Sequence, residues 1–133
     1  MLNKSQILEA TDLGFEEVEV PEWGGSVRVR MMTGSERDTF ETEIYELKGE
    51  EVKFIRDNFR ARLLVRTIAD ENNDRLFTDA DIMALGKKSA KALDRLFATA
   101  QKLNGITAAD REEMLKNSGG GDGTSLSSTS PEN

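Results

Sequence analysis

The chain has 133 residues, of which 37% are hydrophobic and 32% charged, so its length and composition allow one modest domain with its own core. It contains no Cys and no His, which excludes disulfides, thiolate or imidazole catalysis and the usual zinc sites. The net charge of −7 at pH 7 argues against a nucleic-acid partner, because proteins that bind nucleic acids normally present a basic surface.

The first predicted elements are a short helical segment and a β-hairpin. Asn3 can cap the segment and Gly14 can end it. Polar and apolar residues then alternate at 17–20 and again at 27–31, the period of a half-buried strand. The sequence PEWGGS at 21–26 favours a turn, so we predict an antiparallel hairpin over about residues 16–31, with a connection of four to six residues.

The two faces of this hairpin differ in chemistry. The valines share one face, and on the other face Glu17 and Glu19 lie opposite Arg28 and Arg30. Trp23 in the turn is either a lid over the apolar face or an exposed anchor for a partner. Trp23, Arg28 and Arg30 are therefore candidate partner-binding residues.

Helical periodicity predicts four to five helices over about residues 35–117. The first helix begins at a capping box, Thr33 to Glu36, and ends before Gly49. The second, predicted to be the longest and most buried, carries apolar residues at helical spacing from Glu51 to Ala69. The remaining predicted helices begin near Thr78, Ser89 and Thr107, and the one from Ser89 ends at Asn104-Gly105.

These elements predict an α+β fold, mostly α, in which the N-terminal hairpin packs on a bundle of four to five helices. We place this single domain at residues 1–117. The composition changes at Ser118, where a sequence rich in Gly and Ser begins. Because such a sequence has almost no apolar side chains to bury, it predicts a disordered tail at 118–133.

Four arginines lie at helical spacing in the second predicted helix: Arg56, Arg60, Arg62 and Arg66. They form two i, i+4 pairs that can contact phosphate, the acidic first half of the chain or an acidic partner helix. Residues 1–50 contain twelve acidic and five basic side chains, whereas residues 51–118 contain eleven and thirteen. This asymmetry is typical of solvated helix faces, but also of a protein that joins its own copies.

A metal site is one interpretation of the segment from Asp70 to Asp81. Its oxygen-bearing side chains match several positions of a calcium-binding EF-hand loop. However, Arg75 stands where that loop needs Gly, and Asp81 is shorter than the usual Glu. A plain loop between helices uses the same residue types, so we predict no metal site here.

The sequence also lacks signals for catalysis, cofactors or membranes. It has no Gly-rich phosphate loop followed by Lys, and its paired carboxylates lie in polar runs. No stretch resembles a secretory signal or a membrane span. We therefore predict a protein that is not an enzyme, binds no cofactor and acts in the cytoplasm.

Six segments in order resemble the tail assembly chaperone of long-tailed bacteriophages and prophages, the lambda gpG type. They are VEVPEWGG at 18–25, VRVR at 27–30, TGSERDTFE at 33–41, NFRARLL at 58–64, LFTDAD at 76–81 and LNGI at 103–106. The order and spacing of these segments carry the resemblance, which extends over about residues 5–117.

The resemblance implies a non-virion assembly factor. It would bind the tape measure protein, keep it soluble, help recruit major tail protein and leave before the tail is complete. In this family a programmed frameshift near the end of the short form often adds a second domain. A nucleic-acid-binding regulator acting through Arg56 to Arg66 and an EF-hand-like calcium module remain the alternatives.

Overall fold

A computed structural model of the chain describes residues 1–106, apart from the side chains of residues 47 and 48. In chain order the elements are α1 (Lys4–Glu9), β1 (Phe15–Val20), β2 (Gly25–Arg30), α2 (Gly34–Ile44), β3 (Tyr45–Lys48), β4 (Glu51–Phe54), α3 (Phe59–Thr67), β5 (Ile68–Ala69), α4 (Ile82–Gly86) and α5 (Ala90–Leu103). Short 3-10 turns at Pro21–Trp23 and Asp79–Asp81 complete them. The predicted helix from Thr107 and the predicted tail at 118–133 lie outside the described residues.

The predicted N-terminal hairpin is confirmed, and its valines share one face as expected. Strands β1 and β2 pair antiparallel, with Val18 opposite Val27 and Glu17 opposite Arg28. Glu19, however, lies opposite Ser26, and Arg30 lies opposite Phe15. The observed connection, 21–24, has four residues, as the predicted range of four to six allows. The register differs by two residues from the predicted pairing of the charged side chains, so each side chain stays on its predicted face.

A second hairpin replaces part of two predicted helices. Helix α2 ends at Ile44, and α3 begins only at Phe59, so the prediction of a helix over 51–69 is wrong in its first two turns. Strands β3 and β4 pair antiparallel, with Tyr45 opposite Phe54. Gly49 has φ +64° in the tight turn between them. It therefore reverses the chain within a hairpin and does not simply end a helix.

The helix starts predicted at Thr33 and Ser89 are confirmed. The Thr33 hydroxyl accepts a hydrogen bond from the Glu36 backbone N–H at 3.1 Å, and the Glu36 carboxylate accepts one from the Thr33 N–H at 2.9 Å. Ser89 accepts the N–H of Ala92 at 3.2 Å, which begins α5. At the other end of α5, Gly105 has φ +68°. Each cap satisfies backbone groups that a helix end leaves without partners.

Helix α3 lies at the centre of the core. It packs against α2, α4 and α5, while α5 also packs against the sheet formed by β1, β2 and β5. Ala61, Leu63, Leu64 and Val65 of α3 are fully buried. Rings from four elements meet around Phe59, whose centroid lies 6.0, 5.1 and 5.4 Å from those of Phe40, Phe54 and Phe97, respectively. The α+β fold, mostly α with a hairpin packed on helices, is confirmed.

Strand β5 has only two residues, and the sequence analysis missed it. It extends the hairpin into a three-stranded sheet, with Arg28 opposite Ala69 and Val29 opposite Ile68. This pairing brings the end of α3 beside β2. Within residues 1–106, no helix is long and apolar enough to cross a bilayer.

Candidate functional site

Two of the predicted partner-binding arginines are buried and paired within the protein. The Arg30 guanidinium donates to both carboxylate oxygens of Glu36, at 3.0 and 2.9 Å. Arg66 is 1% exposed and donates to Glu43 at 2.8 Å, with Asp79 at 3.2 Å. These pairs connect β2 to α2 and α3 to α2, so both guanidinium groups are used within the fold.

The carboxylates of these networks are held in their charged form. Burial opposes the charge of Glu36, but the hydrogen bonds from Arg30 and Thr33 outweigh it and lower the pKa of that carboxyl. The pKa of Asp79 is likewise lowered despite desolvation, because Arg75 and Arg66 both face it. Both groups therefore stabilise the fold in their ionised state.

The other three arginines of the predicted helix, Arg56, Arg60 and Arg62, do not form one helix face. Arg56 precedes α3 and lies on the loop that leads into it. Arg60 forms an ion pair with Asp94 of α5. The Arg62 Nε donates to the backbone carbonyl of Asp57 at 2.8 Å. The i, i+4 pair expected of Arg56 and Arg60 is thus not formed on one helix, because Arg56 lies in the segment between β4 and α3.

A small cleft at the start of α3 brings Arg56 and Arg60 together with Lys88, and we call it the basic cleft. It has a volume of about 190 Å³. Its remaining lining residues are Asn58, Phe59, Ala61, Gly86, Ala90 and Leu93. The cleft therefore has a basic rim, and most of its accessible lining is polar because Ala61 and Leu93 are buried. Met83, which is 62% exposed, lies beside it in contact with Asn58.

The shape of the basic cleft depends on a glycine at position 86. A Cβ at Gly86 would collide with the side-chain oxygen of Asn58, the left-handed residue that precedes α3. The glycine lets α4 approach the start of α3 closely. This approach sets the shape of the basic cleft.

Arg28 lies in a second depression, on the outer face of the sheet, which we call the sheet pocket. Its volume is about 320 Å³, and it is lined by Glu17, Ser26, Arg28, Ala69, Asp70, Glu71 and Leu76. The Arg28 guanidinium pairs with Glu17 at 3.3 Å and lies 3.7 Å from the centroid of the Phe15 ring. Leu76 in the lining is 56% exposed, and the acidic residues Glu17, Asp70 and Glu71 surround Arg28.

Trp23 is half-buried and packs against the core, as expected of a lid over the apolar face of the hairpin. The adjacent Glu22 ties this turn to α5 through a bidentate pair with Arg95, at 2.7 and 3.0 Å. The hydrogen bond from Arg95 lowers the pKa of Glu22 from 4.5 to about 2. Two interactions therefore hold the turn in place: the packing of Trp23 on the core and the ion pair of Glu22 with Arg95.

The acidic segment from Asp70 to Asp81 uses its carboxylates for local structure. The Asp70 side chain accepts the N–H groups of Asn72 and Asp74 at 2.8 and 3.1 Å. The Asp81 side chain accepts the N–H of Thr78 at 2.8 Å, in a capping box. In the part of the chain that the structure describes, no three acidic side chains are grouped to hold a metal ion.

Sequence reasoning missed several residues that belong to these surfaces. Lys88 and Leu93 come to the basic cleft from another helix and its preceding loop, so no local pattern marks them. Helix α1 was predicted only as a short segment; it has no buried residue, it exposes Ile7 and Leu8, and Leu2 just before it is exposed as well. The sequence signal for this exposed helix was the pair of apolar residues Ile7 and Leu8 in the segment that Asn3 caps.

Comparisons with known proteins agree with this architecture. A family model described as "Phage tail assembly chaperone" matches residues 3–117. Among solved structures, the chain is similar to the tail assembly chaperone of bacteriophage HK97, with a TM-score of 0.53 and 20% sequence identity, over 74% of this chain and 90% of that chain. A search of curated proteins finds no match. Since the family model covers most of the sequence, the chain belongs to the phage tail assembly chaperone family.

Proposed function

We propose that this protein binds the tape measure protein of a phage tail and keeps it soluble while the tail tube assembles around it. The observation that carries the proposal, beyond membership of the family, is the basic cleft, whose lining includes the half-buried ring of Phe59. A tape measure protein is a long helical rod whose apolar stripes are exposed until the tube encloses it. The cleft suits one turn of such a helix, with an apolar side chain against the half-buried Phe59 and an acidic one toward the exposed Lys88.

The small size of the cleft favours weak binding by each copy of the chaperone and tight binding by many copies together along the rod. A cavity of about 190 Å³ holds little more than one or two side chains. Many weak contacts along a rod give high avidity, yet each contact still dissociates readily. Such binding lets arriving major tail protein displace the chaperone, so that it is absent from the finished virion.

Two further parts of the proposal concern the complete assembly. We infer that the protein helps recruit major tail protein, and that a frameshift-extended form can carry that contact. We also place its action in the cytoplasm of the bacterial host, by contact alone and without catalytic turnover. The family match supports these inferences at the level of a tail assembly chaperone.

Co-expression with the tape measure protein of the same tail gene cluster tests the function. We expect the chaperone to raise the soluble yield of the tape measure protein and to co-purify with it. An equal soluble yield with and without the chaperone would refute the proposed function.

Lys88→Glu tests the cleft, and Lys87→Glu is its matched control. Both lysines are exposed and adjacent, but only Lys88 lines the basic cleft. Reversing the charge at the rim should weaken the complex by about tenfold, whereas the control should retain it. If the two variants bind equally well, the rod binds elsewhere on the protein even though the chaperone function stands.

A further inference from the structure

Asn58 stands at the start of α3, yet its side chain does not cap that helix. Its backbone has the left-handed conformation, with φ +53°, and its side chain makes no hydrogen bond to the first turn. Asn3, Thr33 and Ser89, at the starts of α1, α2 and α5, each accept such a bond. Asn58 thus gives up the usual stabilisation of a helix start and holds a costly backbone conformation. Local costs of this kind cluster at functional sites.

The Asn58 carboxamide lies in the wall of the basic cleft, and Gly86 sets its direction. The Oδ1 atom occupies the space that a Cβ at Gly86 would need. The Nδ2 atom donates a hydrogen bond to the Met83 sulfur at 3.2 Å. Because a thioether is a weak acceptor, this N–H donor is held in place but poorly used.

A carboxylate is the acceptor that suits this donor and its surroundings. The exposed Lys88 lines the same cleft, and a basic rim raises the local concentration of anionic groups. A hydrogen bond from an amide to an ionised oxygen is about twice as strong as one between neutral groups. Met83 is 62% exposed and its side chain is unbranched, so it can turn away from Asn58 without disturbing the core.

We propose that the Asn58 carboxamide determines the specificity of the basic cleft. Its Nδ2 exchanges the Met83 sulfur for a carboxylate of an Asp or Glu side chain on the bound helix, and Lys88 pairs with the same carboxylate. The displaced Met83 then packs against apolar atoms of that helix. This inference rests on the proposed function, because it takes the bound helix to be a segment of the tape measure protein. It makes a neutral amide side chain at the same place a poorer ligand.

Titration of the full chain with a short helix-forming peptide tests the recognition without the tape measure protein. The probe carries glutamates one helical turn apart, and the control peptide carries glutamine at the same positions. In an NMR amide correlation spectrum, the side-chain NH₂ signals of Asn58 should move with the glutamate peptide and stay in place with the glutamine peptide. No movement with the glutamate peptide, or equal movement with both, would overturn the inference.

Variants of Asn58 test the same contact in the complex with the tape measure protein. Glycine adopts φ +53° without strain, so Asn58→Gly removes the carboxamide and keeps the backbone, and it should raise the Kd by about tenfold. Asn58→Asp should raise the Kd further, because it sets a like charge against the carboxylate of the ligand. Asn73→Gly changes a second left-handed asparagine, outside the cleft, and should leave the Kd unchanged.

Gly86→Ala separates the direction of the amide from its presence. The added Cβ displaces the Asn58 carboxamide without removing it, so this variant should also raise the Kd, with an unchanged far-UV circular dichroism spectrum. If the natural chain binds the tape measure protein and both Asn58 variants bind it equally well, the inference is overturned while the proposed function stands. If the natural chain does not bind that protein, the proposed function fails, and the peptide titration decides the inference by itself.

Discussion

Arg30 and Arg66 show, at the scale of single residues, that a basic side chain in a sequence pattern does not reveal its surroundings. Arg62 and Arg66 belong to the same set of arginines at helical spacing, yet Arg66 is 1% exposed and Arg62 is partly exposed. The difference arises because α2 packs over one side of α3 and supplies Glu43. That packing joins segments more than twenty residues apart, which no local pattern can report.

Arg66→Ala should destabilise the protein by about 3 kcal/mol, because it leaves Glu43 without its partner in a largely buried position. Urea unfolding followed by circular dichroism measures the change. The matched comparison is Lys102→Ala, which removes an exposed ion pair to Glu16 at 2.8 Å and should cost less than about 1 kcal/mol. Equal losses for the two variants would show that the buried network does not stabilise the fold.

The Glu22–Arg95 pair predicts an acid-sensitive contribution to stability. The pKa of Glu22 in the folded protein is about 2, below its ordinary value of 4.5, so the folded state binds this proton less tightly than the unfolded state. The pair therefore stabilises the fold above pH 4.5, and this contribution is lost as the pH falls from 4.5 to 2. In Arg95→Gln we expect the carboxyl titration of Glu22, followed by NMR, to move up toward 4.5. An unchanged titration midpoint in that variant would contradict the assignment.

At the scale of elements, the parts predicted from the sequence are those with local signals. The cap at Thr33, the start at Ser89 and the alternating valines of the first hairpin each lie within a few residues of the element they define. The second hairpin was missed because Val52, Ile55 and Phe59 also fit a helical stripe. Strand β5 was missed because its partner, β2, lies about forty residues earlier in the chain.

Gly49→Ala tests the second hairpin. Gly49 has φ +64°, so a side chain there should cost about 1 kcal/mol of stability and weaken amide protection at the pair of Tyr45 and Phe54. Gly34→Ala is the control, since Gly34 is the first residue of α2 and has open space around it. That change should be neutral or stabilise the protein by up to about 1 kcal/mol. If both variants gain stability, the segment is not a hairpin in solution.

At the scale of the whole molecule, the candidate sites are less predictable than the fold. Arg28, Arg56 and Arg60 were selected from the sequence, and the structure places them at the two pockets. Their neighbours Lys88 and Glu71 could not be selected, because each reaches its pocket only after α3 has packed against the elements around it. A pocket is a property of that packing, whereas a capping box is a property of four consecutive residues.

This central packing predicts that the described part of the chain unfolds as one unit. Leu64 is fully buried in α3, and Trp23, the single tryptophan of the chain, packs on the same core from the hairpin turn. Leu64→Ala should therefore cost about 3 kcal/mol and move the urea midpoints of Trp23 fluorescence and of helical circular dichroism equally. Met83→Ala, at an exposed position, should change either midpoint little. A fluorescence midpoint that stays in place while the circular dichroism midpoint falls would show instead that the sheet and the helices fold independently.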